Sequence, residues 1–408
     1  MRVPTSLCLV VLLAGCAAGA AELQSSAPRA ATADGRKPAA SGTVKTDGNT
    51  TSCSESCATL AGNGNSASGD YSVVAGGDTN SASGEFAFVG SGRNNVASGI
   101  AATISGGGLN VASGYVATVG GGSHQNATGY KSTISGGTEN TADAMNSTIG
   151  GGLQNAAHGD EGFIGGGSGN TVSGQYGTIG GGGLNTAGQN GTVAGGYKNN
   201  AGAQATISGG YGNTANGIYS VVPGGYGNSA AGRFSLAAGY RSQAAYDGDF
   251  VWSDSDAEAS SLSASAANQF VARAEGGYAL YTNRALTTGV VLAPGSGAWA
   301  STSDRRDKRN VRGVDGRLLL HKLDDLNVSA WSYRSEGDVR HIGPMAQDFH
   351  AAFGLGPDDT HITSIDEDGV ALAAIKALHR ELSETRGELA RTRAQLSRLE
   401  ADVRRLER

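Results

Sequence analysis

The sequence predicts a mainly β protein: a parallel β-solenoid, then a small α+β region that ends in a coiled coil. Three observations predict it. An asparagine recurs on a 15-residue grid through the middle of the chain, a small branched apolar residue follows it at a fixed distance, and a heptad of apolar residues runs to the end.

Asn65, Asn80, Asn95, Asn110, Asn140, Asn155, Asn170 and Asn185 hold the grid, with Gln125 in the one gap, and Asn199, Asn213 and Asn228 continue it after two units shortened to 14. Nine residues after the marker stand residues such as Val74, Ile104, Ile134 and Ile179; in the short units Val193 and Ile207 arrive one residue early. Glycine recurs four residues after the marker (Gly84, Gly99, Gly114) and again past the apolar position (Gly106, Gly121, Gly136). A fixed period this short means a solenoid, in which stacked units share one continuous core. Each unit has room for two short strands and two turns. Asn and Gly are expected at the turns, where positive φ is tolerated, and Thr-Ile or Thr-Val pairs at the strands. Identical asparagines in successive coils can form a side-chain hydrogen-bond ladder. Collagen is excluded because glycine does not recur at every third residue. Calcium-binding nonapeptide solenoids need a recurring Asp, and here the recurring residue is Asn.

Composition agrees. The 67 glycines among 408 residues are roughly twice ordinary usage, and their period argues for order rather than a low-complexity tract. Only 16% of residues are charged and the net charge is −6, so no basic surface points to nucleic acid.

The N-terminus reads as an export signal: Arg2, the apolar run Leu7 to Ala14, then small residues. The run is too short to span a bilayer. Leu13-Ala14-Gly15-Cys16 resembles a bacterial lipobox, which implies a signal peptide over 1–15 and lipidation of Cys16. The other reading is an ordinary secretory signal cut after one of Ala17 to Ala21. Ala17 is not the aspartate of an inner-membrane retention signal, which favours the outer membrane and the cell surface. Residues 16–60, rich in Ala, Ser, Thr and Gly, read as a flexible tether. In an oxidising compartment Cys53 and Cys57 are expected as a local disulfide, since two cysteines without a nearby histidine are too few for zinc. The sequence suggests no metal site and no cofactor.

The solenoid is expected over 61–245. Over 246–302 the period breaks and aromatics such as Phe250, Trp252, Phe270 and Tyr278 suggest a β neck. Charge then rises and glycine falls. From Ile375 through Leu378, Leu382, Leu389, Leu396, Leu399 and Val403 to Leu406 the 3,4 spacing predicts a coiled coil over 375–408, leaving 303–374 as a separate domain.

Two resemblances follow. The units Asn-x-Ala-Ser-Gly and Thr-Ile-x-Gly-Gly resemble the left-handed β-roll heads of trimeric autotransporter adhesins. Ser303-Asp304-Arg305-Arg306-Asp307-Lys308, the Leu323–Trp331 run, His341-Ile342-Gly343-Pro344-Met345-Ala346-Gln347-Asp348-Phe349 and the terminal heptads resemble, in that order across 303–408, the intramolecular chaperone domain of phage endosialidase tailspikes. Together they imply a homotrimeric left-handed β-roll-like solenoid, a β neck, and an α+β chaperone domain with a trimeric coiled coil. The second resemblance also implies that the chaperone nucleates the upstream fibre and then cuts itself off. Ser303 would be the nucleophile, Lys308 its base, and Thr302–Ser303 the bond cut.

A serine hydroxyl needs a base to become a good nucleophile, and a lysine serves only when neutral, which burial or cationic neighbours favour. Arg305, Arg306 and Arg309 would crowd Lys308 with positive charge, and trimer formation would bury it. His341 reads either as an assisting residue beside the dyad or as a structural histidine at a strand start. The expected product is a lipid-anchored surface fibre with a host or surface glycan or protein as ligand. The alternative is a phage-type tail fibre or polysaccharide depolymerase. A glycosidase needs paired carboxylates, and the solenoid's only adjacent acids, Asp160 and Glu161, would point to opposite faces of a strand. A passive ice- or surface-binding solenoid would want a flat threonine array, for which Thr103, Thr118, Thr133, Thr148 and Thr178 are candidates.

Overall fold

The computed structural model describes residues 44–46, 48–256, 258 and 260–407. The signal peptide, Cys16 and the first part of the tether lie outside the described residues. The chain divides into two compact units between Val271 and Ala272.

The first unit is a parallel β-solenoid of about 14 turns. Each coil gives one short strand to each of two sixteen-stranded sheets, and successive coils stack fifteen residues apart in register, as Asn126↔Thr141 and Ala127↔Ala142 on one wall and Thr133↔Thr148 and Ile134↔Ile149 on the other. Alternation along each two-residue strand turns the first side chain outward and the second inward. One wall therefore lines the interior with alanine (Ala112, Ala127, Ala142) and the other with Ile or Val (Val119, Ile134, Ile149), all fully buried. Where Val172 replaces the alanine, the facing positions become Gly162 and Gly177, whose Cβ atoms would sit 2.8 and 2.7 Å from Val172 Cγ1. Core volume is conserved locally.

The asparagine ladder forms. Asn95 is wholly buried; its Nδ2 donates to Asn80 Oδ1 (3.0 Å), Ser91 O (3.1 Å) and Gly107 O (2.9 Å), and its backbone N–H also donates to Asn80 Oδ1 (3.0 Å). A short amide thus satisfies polar backbone at a corner that water cannot reach.

The expected turn chemistry needs correcting. The marker asparagines sit inside the ladder and are not the positive-φ residues. The left-handed positions are the residue before the marker and the residue six after it, held by ordinary side chains such as Leu109 (φ 58°), His124 (56°) and Val116 (55°). Each such N–H is fixed to the preceding coil, as Leu109 N to Arg93 O (2.9 Å) and Val116 N to Ile100 O (2.8 Å). Lateral pairing in every coil outweighs the roughly 1–2 kcal/mol a left-handed residue costs. The glycine column Gly106, Gly121, Gly136 has room for a Cβ and is not the crowded one. The neighbouring column is: Gly137 has φ 97°, and a Cβ there would meet Gly152 O at 2.1 Å.

Coil-to-coil pairing continues outside residues 61–245 on both sides. Asn49 extends the ladder at the N-terminal side, accepting from Asn65 N (3.0 Å), and Ser242 ends it, its backbone N–H donating to Asn228 Oδ1 (2.9 Å). Asn49–Thr51 pairs in parallel with Ser66–Ala67 and antiparallel with Val44–Thr46, which covers a sheet edge. The later part of the expected tether is therefore built into the solenoid. Cys53 and Cys57 are joined by a disulfide, and Asp70 Oδ1 accepts from Ser54 N and Glu55 N beside it (2.7 and 3.1 Å). At the far side Phe250–Ser253 pairs with the Leu236–Tyr240 strand and Leu262–Ser263 with Ser242–Ala244. The expected neck thus begins as more solenoid, with Val251 and Ser253 buried and Phe250 and Trp252 outward. Asp160 and Glu161 lie in a turn rather than on a strand: Glu161 has φ 57° and Asp160 Oδ1 accepts from Met145 N (3.0 Å).

The second unit opens with an antiparallel meander of β1 (Tyr278–Tyr281), β2 (Gly289–Leu292) and β3 (Trp299–Ser301). After a single 3-10 turn come α1 (Gly316–Asp324), a hairpin of β4 (Val328–Trp331) and β5 (His341–Pro344), α2 (Ala346–Phe353) and α3 (Ser364–Leu406). Asp315 caps α1 by accepting from Arg317 N and Leu318 N, and Gly354, at φ 63°, closes α2. Leu319, Phe349, Val370 and Ala374 form the core. The long helix starts at Ser364, ahead of the heptads that begin at Ile375, because Thr363 Oγ1 caps it at Asp366 N (3.2 Å) and its first turns pack on α1. Beyond them Leu382, Leu389, Leu396, Leu399, Val403 and Leu406 are exposed.

Candidate active site

The site forms where β3 leaves its sheet. β3 pairs with β2 in the register Val290↔Ser301, and Thr302 extends the pairing by one residue, its N–H donating to Gly289 O (3.0 Å). The chain then turns. Asp304, extended at φ −70° and ψ 135°, caps the 3-10 turn Arg305–Asp307 through a bond from Arg306 N to Oδ1 (2.8 Å). Asp307 N donates to Asp304 O (3.3 Å) and Lys308 N to Arg305 O (3.2 Å). One such turn reverses the chain enough to bring Lys308 Nζ to 2.5 Å from Ser303 Oγ, across a sequence separation of five. That is proton-transfer distance.

Ser303 and Lys308 are both exposed. Of the three arginines expected to crowd the lysine, Arg306 turns to Asp304, with its Nη2 2.6 Å from Oδ2. This guanidinium holds the Asp304 carboxyl below the usual carboxylate range, and the carboxylate in turn raises Arg306. His341 goes elsewhere: its Nε2 meets Glu336 Oε2 at 2.8 Å, and its ring stacks on Trp331 with centroids 4.7 Å apart. The structure therefore joins Ser303 to Lys308 and ties His341 into the β4–β5 hairpin. Thr302 lies directly before Ser303. Among the described residues, no three His, Cys, Asp or Glu side chains gather as a metal site requires.

Two contributors went unread in the sequence. Asp304 could have been found, since Asp ahead of a short helical turn is a cap signature. Gly289 could not, because its place opposite Thr302 depends on strand register.

Residues 303–355 match the family described as chaperone of endosialidase, a peptidase family. The match takes in the dyad, both hairpin strands and α2, and stops short of α3. A search of curated proteins finds no match to the chain. A parallel β-solenoid followed by this match fits a fibre-like protein with an intramolecular chaperone, and the family suggests trimeric assembly.

Proposed function

We propose that this protein is a trimeric surface fibre, lipid-anchored at Cys16 in the bacterial outer membrane, whose C-terminal region drives assembly and then cuts the Thr302–Ser303 bond. The 2.5 Å approach of Lys308 Nζ to Ser303 Oγ carries the cleavage reading. Neutral Lys308 takes the hydroxyl proton as Ser303 Oγ attacks the Thr302 carbonyl carbon. The C–N bond breaks, the nitrogen recovers a proton from Lys308 and becomes the α-amine of Ser303, and Thr302 is left as an ester on Oγ. Water hydrolyses the ester to a Thr302 carboxylate and a free Ser303 hydroxyl. Attack on the immediately preceding carbonyl closes a five-membered ring, so the reacting groups are held at high effective concentration.

Both dyad side chains are exposed in the single chain, so packing of further copies is the means by which water would be excluded and the lysine kept neutral. Cleavage then follows assembly. The exposed heptad stripe of α3 and the family match support the trimer. The uncharged, repetitive solenoid walls and the lipobox support an adhesin-like role at the cell surface. The test is intact-mass analysis of assembled protein. Wild-type chain should yield two fragments divided at Thr302–Ser303, with the N-terminal fragment acylated at Cys16, and Ser303→Ala should yield one whole chain. Wild-type chain that stays whole after assembly refutes the cleavage reading.

A further inference from the structure

We infer that the Thr302 hydroxyl takes over the hydrogen bond its own carbonyl would accept in the sheet, freeing the scissile carbonyl for attack, with Gly289 as the positioning residue. This deepens the cleavage reading above and rests on it.

In a hydrogen-bonded antiparallel pair the two residues exchange both N–H···O=C bonds. Thr302 and Gly289 make only the first of these in that form, from Thr302 N to Gly289 O (3.0 Å). The reciprocal donor, Gly289 N–H, goes to Thr302 Oγ1 at 2.9 Å. The same hydroxyl lies 3.2 Å from Gly289 O, to which it donates. The side chain thus closes the last rung of the ladder in place of the carbonyl. The acyl side of the scissile bond stays clamped to β2 while the Gly289 N–H goes to the hydroxyl instead of the Thr302 carbonyl, at the point where the chain turns toward Ser303.

Gly289 is itself held tightly against β1, which fixes the position of its N–H and C=O for Thr302. A Cβ there would lie 2.1 Å from Leu280 O and 2.9 Å from Tyr281 Cα. Threonine is a fitting partner: it is β-branched for the strand and carries a hydroxyl that donates and accepts at once. Both clamped residues precede the cut, so the clamp keeps the acyl carbon in place while the new amine departs with the turn.

The experiment uses the full chain with wild-type, Thr302→Val and Thr302→Ser sequences. The first-order rate of cleavage is followed by intact mass across pH, with oligomeric state read by light scattering. Valine preserves shape and removes both hydroxyl bonds, so the Gly289 N–H returns to the carbonyl. Thr302→Val should assemble normally and cleave at least about tenfold more slowly at every pH, with the midpoint of the pH–rate curve unmoved, since Lys308 is untouched. Thr302→Ser should stay within about threefold of wild type. In the uncut Ser303→Ala chain the Gly289 amide should be protected from hydrogen exchange, a readout that does not depend on any Thr302 variant folding. Equal rates for Thr302→Val and wild type, a serine variant as slow as valine, a shifted midpoint or rapid Gly289 exchange each overturn the clamp. Wild-type chain that never cleaves overturns the cleavage reading, and the clamp falls with it.

Discussion

Lys308 Nζ meets Ser303 Oγ at 2.5 Å across one 3-10 turn, and the turn is held by the Asp304 carboxylate at its cap. The dyad's geometry is therefore local, fixed by six consecutive residues, and the cap should be separable from the chemistry. Asp304→Asn keeps a good cap and should cleave near the wild-type rate, whereas Asp304→Ala should slow cleavage roughly fivefold, in line with the ~1 kcal/mol typical of a lost cap. Lys308→Arg should abolish cutting, because a guanidinium stays protonated. The pH arms are distinct. Asp304 is lowered in the folded chain, so its contribution is fully present above the ordinary carboxylate value and is lost only as pH falls through the lowered one. A rate change well above the ordinary carboxylate range therefore does not come from Asp304. Quenched time courses at fixed ionic strength measure both arms.

The ladder contains one flaw, and repairing it should stabilise the protein. Asn110 donates to Gly106 O and Gly122 O, and Asn140 to Gly136 O and Gly152 O, all at 3.0–3.1 Å. Gln125, one methylene longer, overshoots and donates to Ser123 O at 3.4 Å instead. Gln125→Asn should restore the two bonds made in the neighbouring coils and raise local stability by about 1 kcal/mol. Slower amide exchange at Asn126 and Asn140 would report it. Asn140→Ala should do the reverse, losing about 1–3 kcal/mol for each buried group left unpaired.

Two adjacent glycines should behave oppositely. Gly137 has φ 97° and no room for a Cβ, which would meet Gly152 O at 2.1 Å, while a Cβ on Gly136 meets nothing within 4 Å. Gly137→Ala should push neighbouring coils away from each other and lower the unfolding midpoint sharply. Gly136→Ala should be neutral within about 0.5 kcal/mol. Circular dichroism melts of the pair decide it.

These cases show what the sequence disclosed. Period, strand position and inward residue were all legible, because a 15-residue repeat imposes its register on every coil and Ile134 or Ile149 has only one way to be buried. The conformation of each turn residue was not. Leu109 and Val116 adopt left-handed backbone against their own preference because the neighbouring coil fixes their N–H groups, a tertiary effect invisible in a single unit. The ladder's ends escaped for a related reason. Asn49 lies sixteen residues before Asn65, off the grid by one, and Ser242 has no amide to mark it. Ser303 and Lys308 were singled out only through the resemblance to the chaperone domain; that one short turn brings their side chains together is a matter of local backbone that the residue types alone do not announce. His341 was readable only as two alternatives, and its ring contacts with Trp331 come from hairpin register.

The last prediction couples assembly to cutting. α3 runs unbroken from Ser364 to Leu406, and Leu389 and Leu396 on its apolar stripe are exposed in the single chain. A stripe of this kind needs partner helices, whereas Val370, Ala374 and Ala377 near the start of α3 are already buried. Leu389→Pro removes a helical hydrogen bond and kinks the stripe at a cost of about 3 kcal/mol, yet it lies about four turns beyond Ala374 and leaves that core intact. If packing of copies is what shields Lys308, this variant should lose the trimer and the cut together, although Ser303 and Lys308 are unchanged and lie 2.5 Å apart in the single chain. Leu389→Ile, which keeps the apolar seam, should retain both. Sedimentation and intact mass on the same samples give the answer. A monomer that still cleaves would show that the local turn suffices and that assembly does not time the reaction. A trimer that forms despite the proline would move the determinant of assembly from the helix to the fibre.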